Sequence, residues 1–512
     1  MPREDDTISN EGMEIAELNA EFLGVSHSQL MESVGAGIAR EVAQRARSRQ
    51  GARVEVIAGT GKNGGDGLAV ARYLSAMGFR VHVILVGKPR DVEDPSAKQQ
   101  LAAVQTMTDS LEFSSLQDSS QLKPVESDFV IDALLGTGVK GDLRQPLLAA
   151  VRMVNKSKGF KISVDLPSGL DTDTGEPHGE SVKADLTVSL YRKKIGLTKS
   201  PNLAGEVIVL PIGIPPEAET YAGPGDFKVL WKPRPSISHK GDFGRLLVIG
   251  GSENFTGAPA FSALAAAQCG VDLVYVASPE KTAQTVASYS PDLITIRLPG
   301  NRLNPESIPE LERWLKIADT VVLGPGIGLH EDTAEFVWKV TQLAESLNKP
   351  LVLDADALKI FGRRLRRLKT PTVMTPHAGE FAALARRKAP DDIGLKMEAA
   401  QQVAREVGST IILKGPLDVI TDGNRSKLNR THNPFMTVGG TGDVLTGIVG
   451  ALMAMHIDPF RAAVAATFLN GLAGEILVNE NGPAVTSSRL VEHVSRAIEY
   501  CLEGPPYPQL RK

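Results

Sequence analysis

Short apolar runs, each ending in a loop of glycine and polar residues and followed by a helix-compatible segment, recur along most of the chain. In the first half, a run at residues 54–58 leads into Gly59-Thr60-Gly61-Lys62-Asn63-Gly64-Gly65-Asp66-Gly67. A helix-like segment at 68–77 and a second run at 80–86 follow. In the second half, runs at 245–249, 273–277, 320–323, 350–354, 372–374 and 410–413 repeat the pattern. Apolar runs of this length suit strands buried on both faces, as in parallel sheets covered by helices. The repetition predicts an α/β protein with its loops gathered at the carboxyl edge of each sheet, where open α/β sheets bind ligands.

At 512 residues the chain is too long for one core. The stretch 211–241 is rich in proline and glycine and weak in periodicity, which marks a join. We place the cut at 224/225, giving domains of residues 1–224 and 225–512. Apolar positions at helical spacing over 13–46 predict two helices broken near Gly24. A net charge of −4 offers no face for nucleic acid, and the run Arg363-Arg364-Leu365-Arg366-Arg367 reads as solvated surface. Nowhere do about 18 apolar residues run uninterrupted, so no membrane span is expected. Met1-Pro2-Arg3-Glu4-Asp5-Asp6 is acidic and unlike a signal peptide, so a cytoplasmic protein is expected. Two cysteines, Cys269 and Cys501, exclude a disulfide framework or a cysteine-rich metal centre.

The stretch Asn433-Pro434-Phe435-Met436-Thr437-Val438-Gly439-Gly440-Thr441-Gly442-Asp443 runs into an apolar segment of helical length at 444–455. Its glycines let backbone N–H groups approach an anion, and a helix start adds partial positive charge. Asp443 is then either a plain helix cap or a carboxylate beside an anion hole, an arrangement suited to phosphoryl transfer to a hydroxyl. Lys414, at the end of the run 410–413, contacts a nucleotide phosphate or simply reaches for water. His377, Asp354 and Asp356 also end apolar runs, and the plainer reading of each is a loop or cap residue.

In the first half, Gly59, Gly61 and Gly64 satisfy G-x-G-x-x-G, yet no acidic residue ends the next strand to hold a ribose. Lys62 is followed by Asn63 rather than Ser or Thr, so this is no P-loop. Asn63, Asp132 and Ser168 fall near the ends of three runs and offer hard oxygens to a cation; three separate turn or cap residues fit equally.

Gly61-Lys62-Asn63-Gly64-Gly65-Asp66-Gly67, residues 132–141, Asp165-Leu166-Pro167-Ser168-Gly169-Leu170-Asp171 and Leu30-Met31-Glu32-Ser33-Val34-Gly35 together resemble the NAD(P)H-hydrate epimerase family over nearly all of residues 10–215. The resemblance implies a Rossmann-like three-layer domain in which Asn63, Asp132 and Ser168 bind potassium. It further implies that Asn63, Gly64, Gly65, Asp66, Gly136, Thr137, Gly138, Val139, Lys140, Gly141 and Asp142 hold the hydrated nucleotide, with Asp165 beside the reacting ring. Lys62 stands where the family usually has Asn.

His239-Lys240-Gly241, Ile249-Gly250-Gly251-Ser252, Gly324-Pro325-Gly326-Ile327-Gly328, Asp354-Ala355-Asp356-Ala357-Leu358, Thr375-Pro376-His377-Ala378-Gly379-Glu380 and Gly439-Gly440-Thr441-Gly442-Asp443 follow in order over residues 235–500. They resemble the ADP- or ATP-dependent NAD(P)H-hydrate dehydratase family, a branch of the ribokinase-like α/β fold. That implies Ala258, Gly326 and His377 on the hydrate, and Lys414, Gly415, Pro416, Leu417, Asp418 and Gly442 on ADP or ATP with magnesium. Asp443 is the implied catalytic carboxylate. Gly270-Val271-Asp272 and Asn470-Gly471 depart from the family pattern. The expected protein is a fused repair enzyme for NADHX and NADPHX, an isomerase joined to a lyase and a homo-oligomer. The alternative is a ribokinase-like kinase of a thiazole or pyrimidine alcohol, fused to a nucleotide-binding scaffold domain.

Overall fold

The computed structural model describes residues 7–46, 51–119, 126–138 and 141–503. The chain divides into two compact units, residues 1–216 and 217–512. The join therefore lies shortly before the expected cut. Within the second unit, the Ala222 N–H donates to the Leu428 carbonyl at 2.8 Å, which ties the segment before residue 224 to that unit's sheet.

In the first unit the apolar runs form seven strands: β1 (Arg53–Ala58), β2 (Arg80–Val86), β3 (Leu111–Leu116), β4 (Phe129–Ala133), β5 (Phe160–Val164), β6 (Leu186–Leu190) and β7 (Glu206–Leu210). Their spatial order is β3-β2-β1-β4-β5-β6-β7, and every neighbouring pair is parallel. The strand order reverses between β1 and β4, which opens a crevice at their carboxyl ends. Helices α1 (Asn10–Phe22) and α2 (His27–Arg45) break near Gly24, as the spacing predicts. On one face, α2 packs against α3 (Lys62–Ala76). On the other, the helix Leu147–Lys156 buries Val151 and Val154 against Ile57, Ile84 and Val130. The result is a three-layer sandwich.

The helix expected from residue 68 begins six residues earlier, at Lys62. Asn63, Gly64, Gly65 and Asp66 therefore lie in its opening turns rather than in a loop. Glycine there serves close packing. A Cβ on Gly64 would stand 1.9 Å from the Gly59 carbonyl oxygen, and one on Gly67 would stand 2.4 Å from Ala133 Cβ.

In the second unit nine strands run in the spatial order β10-β9-β8-β11-β12-β13-β14-β15-β16. They are β8 (Arg245–Ile249), β9 (Leu273–Pro279), β10 (Ile294–Leu298), β11 (Thr320–Leu323), β12 (Leu351–Leu353), β13 (Thr372–Met374), β14 (Thr410–Leu413), β15 (Asp418–Thr421) and β16 (Ser426–Asn429). All pairs from β10 to β14 are parallel, and β15 and β16 add an antiparallel edge. Helix α4 (Gly257–Gln268) lies against α5 (Thr441–Ala454), whose residues from Val444 to Ala454 are all buried. Glycine permits this too: a Cβ on Gly447 would stand 2.1 Å from the Ser262 carbonyl oxygen, and one on Gly450 would stand 2.6 Å from a Val322 methyl. Helix α6 (Pro459–Asn481) is long and apolar enough to cross a membrane, but 78% of its apolar window is buried inside the protein. Cys269 and Cys501 are free and buried.

Candidate active sites

At the carboxyl edge of the first sheet lies a cavity of about 1010 Å³. Asn63, Asp66, Gly136, Thr137, Gly138, Gly141, Asp142 and Asp165 line it, together with Glu14 and Glu17 of α1. Gly64 and Gly65 do not line it. Their Cα positions face inward, and a Cβ on Gly65 would meet Met31 and Ala97 at 2.7 and 2.8 Å. Val139 and Lys140 lie outside the described residues.

Asp132, near the end of β4, is wholly buried. Its Oδ2 accepts hydrogen bonds from Ser163 Oγ at 2.7 Å and the Ser168 N–H at 2.9 Å, and its Oδ1 accepts from Ser168 Oγ at 2.5 Å. Burial pushes its carboxyl up, against the lowering effect of these donors. Asn63 is also buried, and its Nδ2 has no hydrogen-bond partner. Amide nitrogen and oxygen are assigned from such partners, so this amide can equally present its oxygen there. Among the described residues no group of three or more His, Cys, Asp or Glu is arranged to hold a metal. Asp132 and Ser168 meet directly, and with the Asn63 amide they would offer hard oxygens carrying a single negative charge. Such donors suit a monovalent cation better than a divalent one.

Asp165 is the first residue past β5 and holds φ at +65°, a left-handed conformation rare for a residue with a side chain. Its Oδ1 accepts from the Leu190 N–H at 2.9 Å and from the Lys194 ammonium. Lys194 is fully buried, and its Nζ also donates to the Leu190 carbonyl at 2.7 Å. Nothing in the pair Lys193-Lys194 reads differently from a surface basic pair, so only tertiary burial reveals it. Asp66 stands on the same cavity. Burial, with the charges of Glu17 and Asp165, holds its carboxyl well above the ordinary range.

In the second unit the polar centre forms around Lys414, at the end of β14. Its Nζ lies 3.3 Å from Asp354 Oδ1 and 3.2 Å from where a Cβ on Gly442 would sit. The lysine thus turns toward the glycine loop rather than to water. Asp354, one residue past β12, is buried, with Thr375 Oγ1 donating to its Oδ1 at 2.6 Å and Thr446 Oγ1 to its Oδ2 at 2.8 Å. Burial alone would lower the Lys414 ammonium, but the carboxylates of Asp354, Glu380 and Asp443 outweigh it and raise it.

The helix expected from residue 444 begins at Thr441, so Asp443 is its third residue. The N-cap is Gly440, at φ +97° and with no side-chain capping bond. A Cβ on Gly440 would stand 2.8 Å from Ser487 Oγ and 2.9 Å from the Phe261 ring. Burial, then the nearby Asp354, pushes the Asp443 carboxyl up to about 8, with Lys414 acting in the opposite direction. A carboxylate at a helix start is ordinarily a weak base; this one is poised near neutrality.

His377 caps the helix Ala378–Ala385. Its Nδ1 accepts from the Gly379 and Glu380 N–H groups at 2.9 and 3.3 Å, and its Nε2 lies 3.2 Å from Glu380 Oε1. Ala258 and Gly326 come together, since a Cβ on Gly326 would stand 3.2 Å from Ala258 Cβ. The turn from Lys414 to Asp418 is closed by the Gly415 N–H donating to Asp418 Oδ1 at 2.9 Å. Lys396 Nζ donates to the Leu417 carbonyl at 3.1 Å. Asp354 and Glu380 stand in motifs quoted from the sequence, yet their part in the charge cluster was not read there. For Asp354, an acid directly after an apolar strand was the available signal; Glu380, inside the helix Ala378–Ala385, had none.

A family model described as NAD(P)H-hydrate dehydratase matches residues 246–496, and one described as YjeF-related protein N-terminus matches residues 27–196. The chain is 41% identical to a bifunctional NAD(P)H-hydrate repair enzyme Nnr of Hyperthermus butylicus, across 98% of this chain and 95% of that protein. It is 43% identical to the enzyme of the same name from Pyrobaculum aerophilum, across 98% and 99% respectively. The crystal structure of a hypothetical protein from Streptococcus mutans superposes with a TM-score of 0.50 at 26% identity, covering 55% of this chain and 99% of that one. With both family models matched in order and whole-length identity of this size, the chain belongs to the bifunctional NAD(P)H-hydrate repair enzyme family.

Proposed function

We propose that the first unit interconverts the R and S hydrates of NADH and NADPH, and that the second dehydrates the S hydrate using ADP or ATP. The observation that carries the second half is Asp443. Its carboxyl, pushed up to about 8, stands at a glycine-capped helix start beside Lys414. A hydroxyl on the ring is a poor leaving group at neutral pH. Asp443 takes its proton as the oxygen attacks the terminal phosphoryl, the nucleotide departing with the bonding pair. The free N–H groups at the start of α5 and the Lys414 ammonium stabilise the charge in transit. The lone pair of the ring nitrogen then expels phosphate, and loss of a ring proton restores the reduced nicotinamide. Gly415, Pro416, Leu417, Asp418 and Gly442 hold the nucleotide, and Ala258, Gly326 and His377 face the hydrate. Magnesium would come with the phosphates, since it binds through one or two carboxylates plus phosphate and water; Asp354 and Glu380 are the carboxylates whose charges act most strongly on Lys414.

In the first unit, inversion at the hydroxyl-bearing carbon needs one bond to that carbon broken and remade on the other face. Asp165 accepts the hydroxyl proton as the O–H pair becomes C=O and the C–N pair passes to nitrogen, which Asp66 protonates. Closure on the opposite face returns both protons. Potassium, held by Asn63, Asp132 and Ser168, would supply fixed positive charge beside the substrate's anionic groups. The reading also takes the enzyme to be cytoplasmic and homo-oligomeric, the latter tested by light scattering.

The deciding experiment mixes the protein with hydrated NADH and either ADP or ATP and follows the return of reduced-nicotinamide absorbance. Recovery of both epimers, dependent on one of the nucleotides, is expected. A stable phosphoester product would instead make the second unit a small-molecule kinase.

A further inference from the structure

Lys194 has no part in the roles assigned above, yet it is among the largest side chains of the protein that are fully buried. Taking an ammonium out of water is costly unless a charge partner and hydrogen bonds receive it. Both are present: Asp165 Oδ1 and the Leu190 carbonyl accept from its Nζ. Its backbone is pinned as well. Ile8 pairs with Lys194, and Thr7 with Lys193, in a short parallel bridge.

The pairing is asymmetric. Lys194 and the Leu190 N–H both converge on Oδ1 of Asp165, while Asp165 itself lines the cavity from a strained, left-handed backbone. Strain of that kind persists only where the surroundings over-determine it. Here the backbone is held by the Asp165 N–H donating to the Val188 carbonyl at 2.9 Å, and the side chain by one lysine and one amide acting on one oxygen.

We infer that Lys194 is a positioning residue of the first unit's centre: it fixes Oδ1 of Asp165 so that Oδ2 is aimed at the substrate in the cavity. This rests on Asp165 being the proton acceptor proposed above. Lys194 itself touches no substrate and acts only through that carboxylate.

A double-mutant cycle on epimer exchange, run with the full chain, tests it. Lys194→Met removes the ammonium and keeps the stem. The expected result is a kcat lower by roughly 10²-fold with KM within about threefold of wild type, the pattern of an interaction that matters only in the transition state. Lys194→Arg, which retains charge and donors, should recover part of the loss. In the Asp165→Asn background, Lys194→Met should cost nothing further, because the residue it acts through is already gone. A melting curve of each preparation reports that the first unit is folded, and nucleotide-dependent dehydration of the S hydrate reports that the second is. If Lys194→Met does not fold, Lys194→Gln replaces it, since an amide can still donate to the Leu190 carbonyl while the charge is lost. Equal losses in both backgrounds would overturn the inference, as would wild-type exchange in the single variant. If Asp165→Asn alone exchanges epimers at the wild-type rate, the role of Asp165 fails instead, and the two failures are told apart.

Discussion

Burial turns Asp443 from an ordinary helix-start carboxylate into one poised near neutrality, as the proposed role requires. With its carboxyl raised from the ordinary 3.8 to about 8, dehydration through it should rise with pH up to about 8, seen in kcat/KM for the S hydrate. Asp443→Asn should lower turnover by roughly 10²–10⁴-fold at saturating nucleotide. Stability runs the other way. A carboxyl whose folded pKa lies above its unfolded one contributes stability that is present below about 4 and lost as pH rises through about 8. Without nucleotide, Asp443→Asn should therefore melt above wild type at pH 9 and close to it at acid pH. A melting curve unchanged across that range would show that the carboxyl is not shifted. Asp132 answers a different question. Its two oxygens satisfy Ser163 and Ser168, so Asp132→Ala leaves buried donors unpaired, at a cost of about 1–3 kcal/mol. Epimer exchange should slow and lose any dependence on potassium, while dehydration of the S hydrate stays at its wild-type rate. Exchange that remains potassium-dependent in this variant would remove Asp132 from the cation site.

At the scale of elements, the glycine clusters do two jobs that look alike in sequence. Gly440 supplies a left-handed cap at φ +97°, which leaves the N–H groups of α5 open to an anion. Gly64 instead lets α3 descend onto the Gly59 carbonyl. Gly64→Ala should cost about 1–3 kcal/mol by overpacking, lowering the melting temperature of the first unit and its epimer exchange, with dehydration spared. Wild-type melting of that variant would mean that the helix start can shift without penalty. Both helices begin earlier than their apolar spacing suggests, for one reason. Glycine is penalised in a helix by propensity, but a close backbone approach repays that penalty where a side chain would collide. The departure at Asp272 has its own account: it accepts from the Gly241 and Phe243 N–H groups at 2.8 and 3.0 Å and from Arg234, anchoring the loop before β8.

At the scale of the molecule, each unit has its own sheet and its own polar centre. Residues 1–216 and 217–512, expressed separately, should each fold and keep their own activity, the first exchanging epimers and the second consuming only the S hydrate. Fragments that are insoluble apart and active only when co-expressed would contradict this. Apolar runs bounded by glycine placed the central strands of each sheet, but Leu111–Leu116, Leu186–Leu190, Glu206–Leu210 and Ile294–Leu298 were not read as strands. The antiparallel pair β15 and β16 escaped notice, because each is only four residues long and its polar positions break the run.

Periodicity and motif order by themselves determined the two-unit α/β architecture, the residues at the strand ends and the family. Those features depend on which residues are apolar and on glycine in loops, and both are written locally in the chain. Tertiary structure alone decided which polar groups share a dielectric and face one another. Asp354 became a partner of Lys414 only because β12 and β14 deliver their ends to one edge of the sheet. Lys194 became a buried counter-charge only because its backbone pairs with Thr7–Ile8 and its side chain turns inward to Asp165. Charge interactions act through space and strengthen as water is excluded, so residues 60 apart in the chain, as Asp354 and Lys414 are, leave no local trace of them.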